Sequence, residues 1–113
     1  MQHRHERRQN ERSAVDIPCQ VMTDRSEVAA ELRLLDLSLE GALVESGLAP
    51  RPGELIALSF MPGPCEGELT LFGRVAHVIK QGFAVRGFGV EFVGIGEAER
   101  QRLGRAARGC VAA

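Results

Sequence analysis

Apolar side chains recur at every second position from Val15 through Ile17 and Cys19 to Val21, with Asp16, Pro18 and Gln20 between them. That is the period of a strand with one buried face. The same alternation runs through ELTLFGRVAHVIK (68–80), where Leu69, Leu71, Gly73, Val75 and His77 share one side. It returns in FAVRGFGVEFVG (83–94), where Phe88, Val90 and Phe92 form the inward row opposite Gly87, Gly89 and Glu91. LIALSF (55–60) has strand character. EVAAELRLLDL (27–37) is ambiguous by pattern, because Ala, Glu and Leu also suit a helix; its length and its run into Ser38 and Gly41 favour a strand, with GALVES (41–46) as the return strand of a hairpin. The breaks between these segments are rich in turn formers: GLAPRPGE (47–54), MPGPCEG (61–67) and QG (81–82). GEAERQRLGRAARG (96–109) suits a short helix, although Gly104 weakens it by about 1 kcal/mol relative to Ala.

Six short strands at regular spacing, then a helix, predict a mainly β fold: a small six-stranded antiparallel barrel with a C-terminal α-helix able to cover one open end. Residues 1–13 are polar, lack a periodic apolar face and read as a mobile arm. The expected organisation is therefore an arm over 1–13, a barrel over 14–95, and a helix and tail over 96–113.

Composition narrows the function. A chain of 113 residues supports one domain with a single modest core. A net charge of −1 gives no overall field to draw in nucleic acid or a membrane surface, so any anion site must be built locally. All but one of the 14 basic residues are arginine, Lys80 being the exception. Arginine presents a planar donor fork that matches phosphate or a guanine edge at two points; a GC-rich genome produces the same bias. Cys19, Cys65 and Cys110 are odd in number and show no C-x-x-C spacing, which argues against a disulfide framework or a zinc site and for a reducing cytosol. The N-terminus is too polar for a signal peptide, and no apolar run approaches the roughly 20 residues that span a bilayer. The expected location is the cytoplasm, without membrane insertion.

The motifs of catalysis are missing. There is no G-x-S-x-G elbow and no Walker sequence. GFGVEF has Phe92, and GIGEAE has Glu99, where a dinucleotide fingerprint needs its third glycine. His3 and His5 lack the further ligands of a closed metal site. The reading is a non-enzyme without metal or cofactor. Single-stranded nucleic acid is disfavoured as well, since a stacking platform needs exposed aromatics. The five Phe include three on core-facing positions, and Tyr and Trp are absent.

What remains is an order of motifs. Arg8-x-x-x-Arg12 precedes the first strand, and Asp36-x-Ser38-x-x-Gly41 lies at a strand-to-strand turn. Each alone is a common composition. In this order, with the closing GFGVEF and a polar helix, they resemble the PilZ domain of bacteria over nearly the whole chain. The resemblance implies a six-stranded barrel that binds the second messenger cyclic di-GMP and acts as a receptor rather than an enzyme, signalling to an effector protein that the sequence does not identify. It assigns Arg8 and Arg12 to phosphate oxygens and guanine O6/N7, Asp36 to a guanine N–H edge, Ser38 to a phosphate or base, and Gly41 to a place where a side chain would obstruct. These roles suit the donors and acceptors of each group. In the family, an arginine just before R-x-x-x-R, here Arg7, is associated with binding a stacked ligand dimer; a solvated leader charge is the other reading, so one or two ligands per protomer both stay open. His77 falls where some relatives place an aromatic residue against a guanine, but its alternation also allows an interior or barrel-end position. Glu40, Arg74 and Arg86 read as surface. The alternative function is a PilZ-like protein–protein interaction module without nucleotide binding, and a small oligonucleotide-binding barrel is a third.

Overall fold

The structure, a computed structural model, describes residues 13–24, 26–63 and 66–107. Arg7, Arg8 and Arg12, together with Cys65 and Cys110, lie outside the described residues. Six strands and one helix occur in chain order: β1 (Ser13–Thr23), β2 (Ser26–Leu37), β3 (Gly41–Glu45), β4 (Leu55–Phe60), β5 (Leu69–Gln81), β6 (Ala84–Val93) and α1 (Glu97–Ala107). The strands close into a barrel in the order β1-β2-β3-β6-β5-β4, every neighbouring pair antiparallel. The ambiguous segment 27–37 is a strand, and β1 starts at Ser13, the residue with which the expected arm ends.

Strand direction sorts the loops into two ends. One end collects the start of β1, the turn after β2, the loop between β4 and β5, and the passage from β6 into α1. The other collects the β1–β2 turn, the long loop 46–54 and the β5–β6 hairpin. The helix closes the first end. Its Leu103 and Ala106 are buried with Leu34, Leu37, Leu58 and Phe88 in one continuous core. The Glu99 carboxylate accepts a 2.7 Å bond from the Gly96 N–H, the N3 half of a capping box, and the Arg100 N–H donates to the Gly96 carbonyl at 2.9 Å as the first bond of the helix. Further along, Arg102 and Arg105 reach Glu66 at 3.4 and 2.9 Å, and Arg102 also donates to the Gly67 carbonyl. Burial and these ties hold α1 in spite of Gly104.

Two departures from simple alternation bear on the site. Between β2 and β3, Leu34 pairs with Val44 and Asp36 with Leu43, which leaves Leu35 as an extra residue. Between β5 and β6, Val75 pairs with Val90 and His77 with Gly89, which leaves Ala76 extra. Each bulge inverts the parity of the residues after it. Leu34 and Leu37, three apart, can thus both be buried while Asp36 is only half-buried. Val75 is buried and His77 exposed. The expectation that His77 shares the face of Leu69, Leu71, Gly73 and Val75 is therefore corrected: the bulge turns it out of the core.

Candidate functional site: the turn after β2 and the adjoining wall

The turn after β2 is organised by a hydroxyl. Ser38 is 2% exposed, and its Oγ accepts from the N–H groups of Glu40 and Gly41, both at 3.1 Å, and donates to the Gly41 carbonyl at 3.3 Å. The Ser38 N–H donates to the same carbonyl at 2.9 Å. One donor and two acceptor positions are what a hydroxyl offers, so the whole capacity of Ser38 is spent inside the turn in this conformation. Its visible work is to set the path of the backbone. Gly41 has an equally local reason: a Cβ there would collide with the Val90 carbonyl, because β3 runs close against β6. The obstruction relieved by Gly41 lies between strands.

His77 stands on the outer wall above β6. A Cβ at Gly89, its cross-strand partner, would overlap the imidazole Cε1 and come within 2.9 Å of Nε2. The ring therefore lies over bare backbone, in room that only glycine leaves. Ser38, Glu40, Gly41, Ala76, His77, Gly89, Val90 and Glu91 line a shallow hollow of about 240 Å³. Glu40, read from sequence as surface, belongs to this wall, and so does Glu91, whose outward place in the alternation assigns it no role. Alternation alone does not signal either; the cue is the pairing of Gly41 with Glu91, visible only once β3 and β6 are neighbours. Arg74 and Arg86 are exposed as expected, with Arg74 donating to the Gly53 carbonyl at 3.1 Å.

Asp36 lies on β2 two residues before the turn and outside the hollow's lining. Its register partner on β1 is Ala14, and Leu37 pairs with Ser13, the residue after Arg12 in the chain. The R-x-x-x-R segment is thus covalently joined to the barrel beside Asp36 and one strand away from the Ser38 turn. Of the residues singled out in the sequence, the structure gathers Ser38, Gly41 and His77 around one hollow and sets Asp36 opposite Ala14, two residues after Arg12 in the chain. Among the described residues no cluster of His, Cys, Asp and Glu could hold a metal ion. No helix of the described residues is long and apolar enough to cross a membrane.

Known structures share this architecture. The inhibitor of motility MotI/DgrA from Bacillus subtilis superposes with a TM-score of 0.75 at 19% identity, over 90% of this chain and 49% of its own. This chain thus spans about half the length of that relative. The PilZ domain of Escherichia coli YcgR, solved with c-di-GMP, gives 0.70 at 19% identity over 90% of this chain and 89% of its own. The PilZ domain of CeSA from a cellulose-synthesizing bacterium gives 0.64 at 20%, covering 88% and 97%. At these identities the likeness is one of fold. A search among curated proteins finds no match. The family model of the PilZ domain matches residues 6–109, from just ahead of Arg7 and Arg8 to just past the helix, and with the closed barrel behind it the chain belongs to the PilZ domain family.

Proposed function

We propose that this chain is a cyclic di-GMP receptor that acts by binding rather than by catalysis. The observation that carries the reading is the junction at β1: Ser13 and Ala14 pair with Leu37 and Asp36, so the R-x-x-x-R segment joins the barrel beside the D-x-S-x-x-G turn. Cyclic di-GMP carries two phosphates and two guanines, which ask for arginine forks on one side and for carboxylate acceptors on the other. Arg8 and Arg12 supply the forks, and Asp36 accepts from a guanine N–H edge. Ser38 and Gly41 contribute through the shape of the turn, with Ser38 free to exchange a turn bond for a phosphate. His77 offers a ring face to a base across the hollow. The likeness to the YcgR domain, solved with c-di-GMP, supports the assignment.

Magnitudes describe how such a receptor switches. Micromolar affinity is about −8 kcal/mol. Drawing five arm residues into one conformation costs on the order of 5–10 kcal/mol. Charge-assisted bonds contribute about 1.5–3 kcal/mol each, so several must form together. Binding then places residues 1–12 against the barrel and creates a surface for an effector protein. Arg7 adds a further cation beside the pair, which favours a stacked ligand dimer with its four phosphates.

Isothermal titration calorimetry with cyclic di-GMP, and GTP as control, tests the reading. Saturable binding with no response to GTP is expected, and a stoichiometry near one or two decides the role of Arg7. Alanine at Arg8, Arg12 or Asp36 weakens binding about tenfold or more, as the loss of one charge-assisted contact requires. No binding by the wild-type chain in calorimetry and in a direct assay leaves a PilZ barrel used only for protein–protein contact.

A further inference from the structure

We infer that the barrel end opposite the helix is a self-association surface, in which the Phe83 tip of one copy seats in the apolar mouth of a second, reciprocally about a two-fold axis. The inference is independent of the ligand reading and uses none of its residues.

The tip is the first observation. The last β4–β5 pair is Leu55 with Arg74, so from His77 onward β5 is paired with β6 alone and the hairpin runs past the rest of the wall. Its loop is Gly82–Phe83, and Gly82 has φ of 66°, the sign that primed hairpin turns require at their first position. Phe83 comes next, fully exposed. Tight turns favour small polar residues at such a place, and nothing in the turn calls for an aromatic. Leu48, on the loop 46–54 at the same end, is 82% exposed. The two loops are neighbours, since the Ser46 N–H donates to the Arg86 carbonyl at 3.0 Å.

The mouth is the second. Between loop 46–54 and the barrel wall lies a cavity of about 350 Å³, lined on its apolar side by Val21, Leu32, Leu48, Ala49, Pro50 and Phe88. It opens at the end where Phe83 projects, and its volume and lining suit a phenyl ring. A projecting ring and an apolar hollow on one face make that face self-complementary, which is the condition for a closed two-fold interface.

Charge supplies the third. Between Val75 and Val90 the formally charged side chains are Lys80 and Arg86, both exposed, and there is no acid. Of the described acids at this end, Glu54 lines the mouth, and Asp24 and Glu45 are chain neighbours of its lining residues Thr23 and Ser46. Among the described residues the bases there are Arg51, Arg33, which donates to Asp16 at 2.6 Å, and Arg74, which donates to the Gly53 carbonyl. Arg33 is balanced by Asp16, whereas Arg74 keeps its charge on a neutral carbonyl, so among the described residues three carboxylates stand against two guanidinium groups. A cationic tip meets an acidic rim when one copy faces another.

Sedimentation equilibrium of the full chain is the test. The wild type should show a weight-average mass that rises with concentration from 12.3 kDa toward twice that value. Phe83→Ser, at a fully exposed position, and Ala49→Arg, at the lip of the mouth, should each weaken association at least about tenfold, the loss expected of an interface anchor. The decisive sample is their equimolar mixture, in which the intact tip of one variant meets the intact mouth of the other. It should associate more strongly than either variant alone. A wild type that stays at the monomer mass up to about 1 mM, well above the micromolar range of specific pairs, overturns the inference. So does undiminished association of Phe83→Ser, or a mixture no stronger than its components.

Discussion

At the scale of single residues, the wall around His77 is built by an absence. Gly89 has ordinary strand geometry and pairs with both His77 and Leu43, so its identity is not a matter of backbone conformation. What excludes a side chain is the imidazole lying over it. Because His77 is exposed, the ring can swing aside, and Gly89→Ala should cost little stability. It should still remove the ring from its seat. On the cyclic di-GMP reading, displacing a base-stacking ring costs about 1–3 kcal/mol of binding, while thermal unfolding moves by only a few degrees, as expected for a sub-kilocalorie change. The same substitution on a His77→Ala background should change neither quantity, since the group it displaces is already gone. An equal loss of affinity on both backgrounds would mean that Gly89 acts through the backbone and not through His77. Ser38 marks the limit of residue-level reading: its type is recognisable from the motif, but the turn holds its hydroxyl on three sides, which no sequence pattern records.

At the scale of elements, the helix is attached to the barrel by an acid that titrates. Arg105, and then Arg102, hold the Glu66 carboxyl below its usual range by direct bonding and charge, against a smaller opposing effect of burial. A carboxyl whose folded pKa is depressed contributes stability that is fully present above its unfolded value, about 4.3, and is lost as pH falls through the folded value. Acid should therefore loosen the junction between α1 and the β4–β5 loop in the window below about pH 4. Denaturant unfolding of the wild type and of Glu66→Gln checks this: the difference between them should be largest near neutrality and should vanish below that window. A constant difference across the titration would assign Glu66 a packing role alone. Most of the elements are legible in the sequence because each buries one face and turn residues bound it; β2 is the exception, since the period of 27–37 also fits a helix and only its length and its run into Ser38 and Gly41 favour a strand. The bulges are not legible. Leu35 and Ala76 are unremarkable in composition, and they become extra only against their partner strands, yet they decide that Asp36 and His77 leave the core face. For the same reason Glu40 and Glu91 cannot be placed together until β3 and β6 are known to be neighbours.

At the scale of the whole molecule, closure is the property that matters. A barrel has no sheet edge from which to fray, and its core is one cluster to which all six strands and the helix contribute. Cys19 reports on this. It lies on β1 between Leu32 of β2 and Phe60 of β4, is 3% exposed, and has its thiol pushed up to about 11 by burial, with Arg33 a weaker opposing influence. A thiol whose folded pKa is raised favours folding below its unfolded value of about 8.5 and loses that contribution as pH rises toward 11. It also reacts only when water and reagent reach it as thiolate. In a chain with Cys65→Ser and Cys110→Ser, modification of Cys19 by a disulfide reagent at pH 8 should therefore be slower than in the unfolded chain by at least about a thousandfold, the factor set by a global stability of 5 kcal/mol or more. Low denaturant should accelerate it with the same dependence as global unfolding, because opening β1 requires breaking its ladders with both β2 and β4. Modification within a few fold of the unfolded rate, or a rate indifferent to denaturant, would show β1 leaving the barrel on its own. On the cyclic di-GMP reading, Arg8 and Arg12 would then be joined to a strand that detaches, and the register of Ser13 with Leu37 could not keep their point of attachment next to Asp36.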